Sequence, residues 1–600
     1  MSADYDVAIV GAGFVGALMA KRLAEHGCRV LVLEAGNATG ATAEDYESNV
    51  RYFHENPFKT PNSPYLPNQY APAPSVLELA KIEEGEPNTS GYMVQNGPLP
   101  FSSNYQRERS GTSLHWLGMS FRMVPADFEM QSRYGVGVDW AIPYQEMNAD
   151  YEAAEFELGV AAEVEDQTFH GIGFRDGYVF PMHRIPPSYQ DKWFGKHLDG
   201  TTVTLDGDEL EIAFKPLAHS RNSIPNADYD GGRGYTPIGA PGAPGVGERC
   251  EGNASCTPIC PVQAKWNAGK TWATAPQELI DIRTQSIVTR VQLSADRTKV
   301  TGLEVTAYDP ASIPPVGTPE VVTAEVYVIA AHAIETAKLL LASDAANSSD
   351  QVGRNLMDHP YLLTWGLAPE NLGSYRGPGL TSGIPSLRDG DFRSRRAAWR
   401  TDLTNWGWTF AAFSPGSDVE RMVRLEGKYG SELRASLANE LPRQTRFGFL
   451  VEQLPDPRNR VTIDRRYVDA LGAPRPVIDY DVDAYTRNGM VAAREFTRQV
   501  YDRLEIEEFT AYHPGDPGYM THRHESLSFH GAGHIVGTHR LGADPTTSVT
   551  DTDLRSWDHE NLFLVGCGSM PTIGTSNPSL TMAALVYRAS RAILNDLGKR

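Results

Sequence analysis

The stretch from Asp6 to Gly36, DVAIVGAGFVGALMAKRLAEHGCRVLVLEAG, constrains this chain more than any other. Val7 to Val10 is a short apolar run of the kind that forms a buried parallel strand. Gly11, Gly13 and Gly16 follow at G-x-G-x-x-G spacing. From Gly13 to His26, Val15, Leu18, Met19 and Leu23 recur on one helical face, and Gly27 ends the helix. Arg29 to Leu33 is a second buried strand, closed by Glu34. The first glycine permits a tight turn, the second lets a pyrophosphate approach the backbone, and the third lets helix and strand pack closely. The pyrophosphate sits at the helix N-terminus, and Glu34 accepts from a ribose hydroxyl. The glycine pattern alone is weak evidence. With strand, turn, helix, strand and acid all in register, it predicts a dinucleotide site, without deciding between FAD and NAD.

A length of 600 residues, 41% hydrophobic and 22% charged, predicts a globular protein of two to four domains with a large core. No run of 18 apolar residues occurs, so no membrane span is expected. The start, MSADYDVAIV, has no basic n-region, which predicts a cytoplasmic chain without a secretory signal. The net charge of −21 argues against nucleic acid or an anionic membrane as partner. It leaves solubility, or attraction of a cationic substrate, as its meaning. Five cysteines are too few for a disulfide framework.

Residues 40–105 carry no strong periodicity but many aromatics and prolines, and read as an ordered, lid-like excursion. Tyr144 to Leu158 reads as helix. Strands are expected near Thr202–Leu205 and Leu210–Phe214, and a helix near Thr271–Asp281. Strands at Ile287–Leu293, Val300–Tyr308 and Glu325–Ala331, with a helix at Ile334–Ala342, resume the β-α pattern, so the nucleotide domain is discontinuous. Residues 361–525 form a second region, with strands near Phe447–Gln453 and Val461–Asp464 and a helix over Asp483–Leu504.

His530, His534 and His539 lie within ten residues near the C-terminal end. Their spacing in a Gly-rich strand-and-turn segment puts them on no common helical face, which argues against a metal site and for a proton acceptor among them. Asn577-Pro578 opens the last helix, Asn as a good N-cap and Pro as a good first residue. The positive end of that helix suits the N1–C2=O edge of a reduced flavin, with Gly574, Ser576 and Asn577 beside it. Asn561 to Val565 is a buried strand leading into a turn at Gly566 and Gly568.

These pieces together resemble the glucose–methanol–choline (GMC) oxidoreductases. The matching text is the fingerprint ending LEAG, GTSLHW at 111–116, VIAAHAIETAKLLLAS at 328–343, VGRNLMDHP at 352–360, HIVGTHRLG at 534–542 and NLFLVGCGSMPTIGTSNPSLT at 561–581. It spans nearly the whole chain in the family's order. Within the family the chain is similar to the branch with pyranose oxidases, bacterial glycoside 3-oxidases and dehydrogenases, and FAD-dependent glucose and gluconate dehydrogenase large subunits.

The resemblance implies an α/β plus β fold, with a discontinuous Rossmann-like FAD domain and a sheet-based substrate domain, as in p-hydroxybenzoate hydroxylase. The expected FAD-domain parts are 1–160, 246–360 and 529–600, and the substrate-domain parts 161–245 and 361–528. By motif His534 matches the catalytic base and Asn577 its partner. His534 would take the hydroxyl proton while hydride passes to flavin N5. The resemblance also assigns Gly11, Gly13, Gly16, Glu34, Ser113, His115, Trp116, Val288, Ala331, Gly568, Ser576 and Pro578 to the cofactor. His115 matches the position of covalent FAD attachment in pyranose oxidases. Leu114 stands where those carry Thr, and the flanking text is closer to enzymes with non-covalent flavin.

Cys250, Cys256 and Cys260, in C-x5-C-x3-C-P spacing, resemble the three-cysteine iron–sulfur segment of glucose dehydrogenase large subunits. A fourth cysteine of some relatives is Glu251 here. Free thiols, or a zinc site with a distant ligand, are the other readings. Cys28 and Cys567 read as buried bystanders. Glu452 and Gln453 match a strand near the family's active site and are assigned to sugar hydroxyls. Trp406, Trp408 and the Arg393–Arg400 group lie in the variable region, where aromatic stacking on a sugar is expected, but each Trp is read first as packing and the arginines as solvated surface.

The implied activity is FAD-dependent oxidation of a sugar or glycoside hydroxyl, a secondary one, to a ketone. The electron acceptor is oxygen or a quinone-type molecule. The alternatives are a sugar or gluconate dehydrogenase working through an iron–sulfur cluster, an aminoglycoside alcohol oxidase, a non-catalytic FAD-binding electron-transfer subunit, and an NAD enzyme.

Overall fold

The computed structural model describes residues 4–38, 42–56, 60–83, 85–239, 247–252, 258–408 and 416–599. The fingerprint folds as strand Tyr5–Val10, helix Phe14–Glu25 and strand Val30–Leu33. These two strands lie inside a five-stranded parallel sheet, ordered Leu562–Leu564, Ala324–Ile329, Tyr5–Val10, Val30–Leu33, Ile280–Arg283. Its central strands are apolar over Val7–Val10, Val30–Leu33 and Val326–Ile329 because both faces are covered, on one side by the helices Phe14–Glu25 and Ser579–Asp596. The fold is therefore α/β around a Rossmann-like sheet drawn from three distant parts of the chain.

The helix expected over Thr271–Asp281 runs only from Ala268 to Thr274. Pro276 forces Ala275 into extended backbone, at φ −78° and ψ 154°. The chain then pairs at the sheet edge as strand Ile280–Arg283. The lid-like excursion contains a helix, Ala43–Glu55, capped by a reciprocal Thr42–Asp45 pair. Only Tyr46 and Phe53 bury a face of it, against Ile259, so its periodicity was too thin to see in the sequence. No described helix is long and apolar enough to cross a membrane.

An eight-stranded antiparallel sheet makes the second layer. At its centre lie Pro360–Leu367, Gln444–Val451 and Trp399–Thr404, in that order. Side chains alternate across it. Phe447 and Phe449 face the helix Ala484–Arg503, touching Phe496 and Tyr501. Arg446, Gly448 and Leu450 therefore face the other way. That helix starts where the sequence placed it, with the Asp483 carboxylate accepting from Thr486 N at 2.7 Å.

Candidate active site

One cavity runs from Gly11, Gly13 and Glu34, past Ser113, His115, Trp116, Val288 and Ala331, to His534, Asn577 and Pro578. At its first end Gly11 has φ +103°, and a Cβ there would lie 2.6 Å from Ala330 O. A Cβ on Gly16 would lie 1.9 Å from Gly11 O, so the third glycine lets the helix sit on the turn. The buried Glu34 carboxylate accepts from Ala12 N and Gly36 N, each at 2.8 Å. Burial raises its pKa and these two N–H groups oppose the rise.

Two cavity-lining residues, His115 and Asn577, carry buried polar atoms without a protein partner, Nδ1 and Oδ1. A long channel with a glycine cradle at one end and unsatisfied polar atoms at the other fits an extended dinucleotide. Gly568 and Ser576, assigned to the cofactor from sequence, stand behind the wall instead. Gly568 makes room for the His539 ring, and Ser576 Oγ donates to Arg122 O at 2.9 Å and accepts from Arg388. His115 is neutral, its pKa pushed down to about 3 by burial, with the Lys265 ammonium adding to the effect.

His534 is held from behind through Asp358. The Asp358 carboxylate accepts from His534 N at 2.9 Å, Gly533 N at 3.3 Å, His359 N at 2.7 Å and Ser103 Oγ at 2.6 Å. Burial pushes its pKa up to about 6 despite these bonds. Gly533 and His534 are thus fixed by a single carboxylate.

A chain of hydrogen bonds then assigns the proton positions. His359 Nε2 lies 3.0 Å from the Gly574 carbonyl oxygen, which only accepts, so Nε2 carries the proton. His359 is neutral, pushed down to about 3 by burial, so its Nδ1 holds a lone pair. His534 Nδ1 lies 2.9 Å from that atom and must donate to it. His534 is also neutral: burial, then His359 and Arg400, hold its pKa well below the usual value. Its Nε2 therefore presents a lone pair, and Asn577 Nδ2 donates to it at 2.9 Å. Asn577 spends its side chain here and makes no cap for the helix Ser579–Asp596, contrary to the simple N-cap reading. An incoming hydroxyl would meet a base and an amide donor together.

Opposite the pair, Tyr361, Asp402, Trp406, Arg446 and Leu450 line the cavity. Glu452 and Gln453 do not, which corrects their assignment to substrate. Glu452 is taken up by Arg393 Nη2 at 2.5 Å, Tyr485 Oη at 2.6 Å and Ala398 N at 2.9 Å. Gln453 accepts from Asp358 N at 3.2 Å and from Tyr480 Oη at 3.0 Å. Both lie just past the end of the strand that does reach the site. The arginines read as solvated surface are largely buried: Arg393, Arg396 and Arg400 expose 0, 2 and 1%. Each is ion-paired, with Glu452 and Asp127, Asp206, and Asp402 respectively. Trp408 packs on Phe509 as expected, while Trp406 lines the cavity.

The three C-terminal histidines diverge. His530 lies on the strand Glu525–Gly531 opposite Tyr361, and His539 packs at Gly568. Among the described residues no three His, Cys, Asp or Glu side chains are grouped to hold a metal ion. Cys250 is half-buried and Cys260 buried, and Cys256 lies outside the described residues. Tyr46 Oη donates to the Cys260 carbonyl at 2.5 Å, joining the lid helix to the cysteine segment.

Two sequence profiles described as GMC oxidoreductase match residues 243–361 and 455–585, and one described as NAD(P)-binding Rossmann-like domain matches 9–76. The chain is 32% identical to the fructose dehydrogenase large subunit of Gluconobacter japonicus, over 99% of this chain and 98% of that one. It is 25% identical to paromamine 6'-oxidase of Streptomyces fradiae, over 99% and 92%. Among solved structures it is similar to pyridoxine 4-oxidase from Mesorbium loti, with a TM-score of 0.58, 18% identity and 98% of both chains covered. With the glycine cradle, the long channel and the full-length match taken together, the chain belongs to the GMC oxidoreductase family, whose cofactor is FAD and whose members oxidise alcohols and sugars.

Proposed function

We propose that this chain oxidises a secondary hydroxyl of a sugar or glycoside to a ketone, with His534 as proton acceptor. The observation that carries the reading is the lone pair on His534 Nε2, held beside the Asn577 amide on the cavity wall. FAD, when bound, supplies the two-electron oxidant. Gly11, Gly13 and Glu34 would hold its adenosine and pyrophosphate half, and His115, Trp116, Asn577 and Pro578 its other end. His115 would lie beside the cofactor, held there without a covalent bond in this reading. The substrate hydroxyl proton passes to His534 Nε2, and the Asn577 amide turns its N–H to the oxygen that gains charge. His359 takes no proton in this step. It keeps His534 Nδ1 protonated and the ring oriented.

Similarity to a fructose dehydrogenase large subunit favours an electron acceptor other than oxygen. Phe14, Trp116 and Trp266 support that reading. Their rings lie 4.5 to 5.7 Å apart and lead from the cavity wall to residue 266, six positions after Cys260. A cluster on Cys250, Cys256 and Cys260 would extend the path outward, and iron and labile sulfide in the purified protein would test for it. The main experiment is an anaerobic titration of the purified yellow protein with a panel of sugars and glycosides. Bleaching of the flavin by a sugar, with a keto product, is expected. A colourless protein, or a flavin that no alcohol bleaches, refutes the proposal. Hydrogen peroxide formed on readmitting air identifies an oxidase, and demand for a quinone or dye a dehydrogenase.

A further inference from the structure

We infer that Tyr361, Asp402 and Arg446 form the hydroxyl-reading wall of the substrate pocket, and that its guanidinium charge selects neutral or anionic polyols against amino sugars. The inference rests on the sugar-oxidation reading and narrows its substrate class.

The wall follows from strand register. Gly448 pairs with Leu363 on one side and with Asp402 on the other. Leu450 pairs with Tyr361 and Arg400, and Arg446 with Trp365 and Thr404. Residues opposite one another share a face, so Tyr361, Asp402 and Arg446 surround Gly448 on the cavity side. A Cβ on Gly448 would lie 2.0 Å from the Tyr361 hydroxyl oxygen, so the glycine makes the dent that this phenol occupies. A phenol that donates and accepts, a carboxylate that accepts and a rigid donor fork thus meet in one concave patch, which suits adjacent hydroxyls of a sugar ring.

The charge on this face is uneven. Asp402 exposes 2%, and Arg400 and Arg446 expose 1% each. Arg400 grips the Asp402 carboxylate with both Nη atoms, and Arg446 acts on the same carboxylate. Two guanidiniums therefore share one carboxylate. The field reaches the reacting end, where Arg400 helps keep His534 neutral. The chain as a whole carries −21, which would attract an amine. Surface charge is screened beyond about 8 Å at physiological salt, whereas these groups are buried, so the local field decides.

Dissociation constants test this, read from the sugar dependence of the anaerobic flavin-bleaching rate where a probe bleaches and from the flavin absorbance shift where it does not. The probes are glucose and galactose, their 2-amino-2-deoxy counterparts at a pH where the amine is charged, and gluconate. We expect each amine to bind at least about tenfold more weakly than its neutral parent, and gluconate no more weakly than glucose. Arg446→Met should bring amine and parent to within about twofold, while Arg446→Lys keeps the gap. Amines binding as tightly as their parents in the unaltered protein would overturn the inference. So would an unchanged gap in a flavin-loaded Arg446→Met. If that variant loses its flavin, the unaltered protein alone decides. Failure of every sugar to bleach the flavin would instead strike the proposed function, leaving the binding ratios to judge the wall.

Discussion

His359→Leu isolates the part of the site that acts without touching a substrate. In the native protein His359 Nδ1 accepts from His534 Nδ1, which keeps the His534 lone pair on Nε2. Leucine fills similar space and offers no acceptor. The productive tautomer then carries a buried, unsatisfied N–H, at a cost of about 1–3 kcal/mol. The other tautomer puts the proton on Nε2, where no base remains. At 1.36 kcal/mol per tenfold, the productive fraction falls by roughly 5- to 160-fold. The rate of flavin reduction at saturating sugar should fall by that factor, measured by anaerobic stopped flow on protein with full flavin content. His359→Gln keeps an acceptor and a donor in one side chain and should recover part of the loss. A Leu variant that holds flavin and reduces it within about twofold of the native rate would refute the tautomer argument.

Asn577→Asp replaces an N–H donor to Nε2 with a carboxylate that favours the imidazolium, so the base is occupied. Flavin reduction should fall by about 10²-fold or more near neutral pH and recover as pH rises, read from the pH profile of that rate. Asp358 titrates near 6, and its carboxylate form holds Gly533 and His534, so reduction should weaken as pH falls through about 6. Ser103→Ala removes a bond that stabilises the carboxylate. The acid limb should then move up by about 0.7 pH unit, one hydrogen bond's worth, and an unmoved limb would assign it elsewhere. The raised Asp358 pKa also means that its contribution to stability is full below its unfolded value of 3.8 and is lost as pH rises through about 6. Chemical denaturation across that range measures it. Gly16→Ala puts a Cβ 1.9 Å from a backbone oxygen, so the protein should be recovered without flavin. A yellow Gly16→Ala protein would count against the packing role of that glycine.

Local patterns determined much of this protein. The glycine spacing and its flanking apolar runs specified strand, helix and strand almost to the residue, because the turn, the helix and the first strand pairing all lie within thirty positions. The helix Ala484–Arg503 was equally legible. The resemblance to the GMC family pointed to His534 and Asn577, and the structure brings them within 2.9 Å. Sequence reading failed where a residue's surroundings come from elsewhere in the chain. Arg393 and Arg400 read as surface until strands and loops far away in sequence buried them. Glu452 and Gln453 lie one step past the strand whose Arg446 and Leu450 meet the cavity, and alternation alone does not say which face is covered. His359 stood inside a quoted motif with no role, since its partners are 175 and 215 residues away. A sequence fixes periodicity along the chain. Which strand lies beside which, and hence which nitrogen of His534 carries its proton, was decided only by the packing of distant segments against one another.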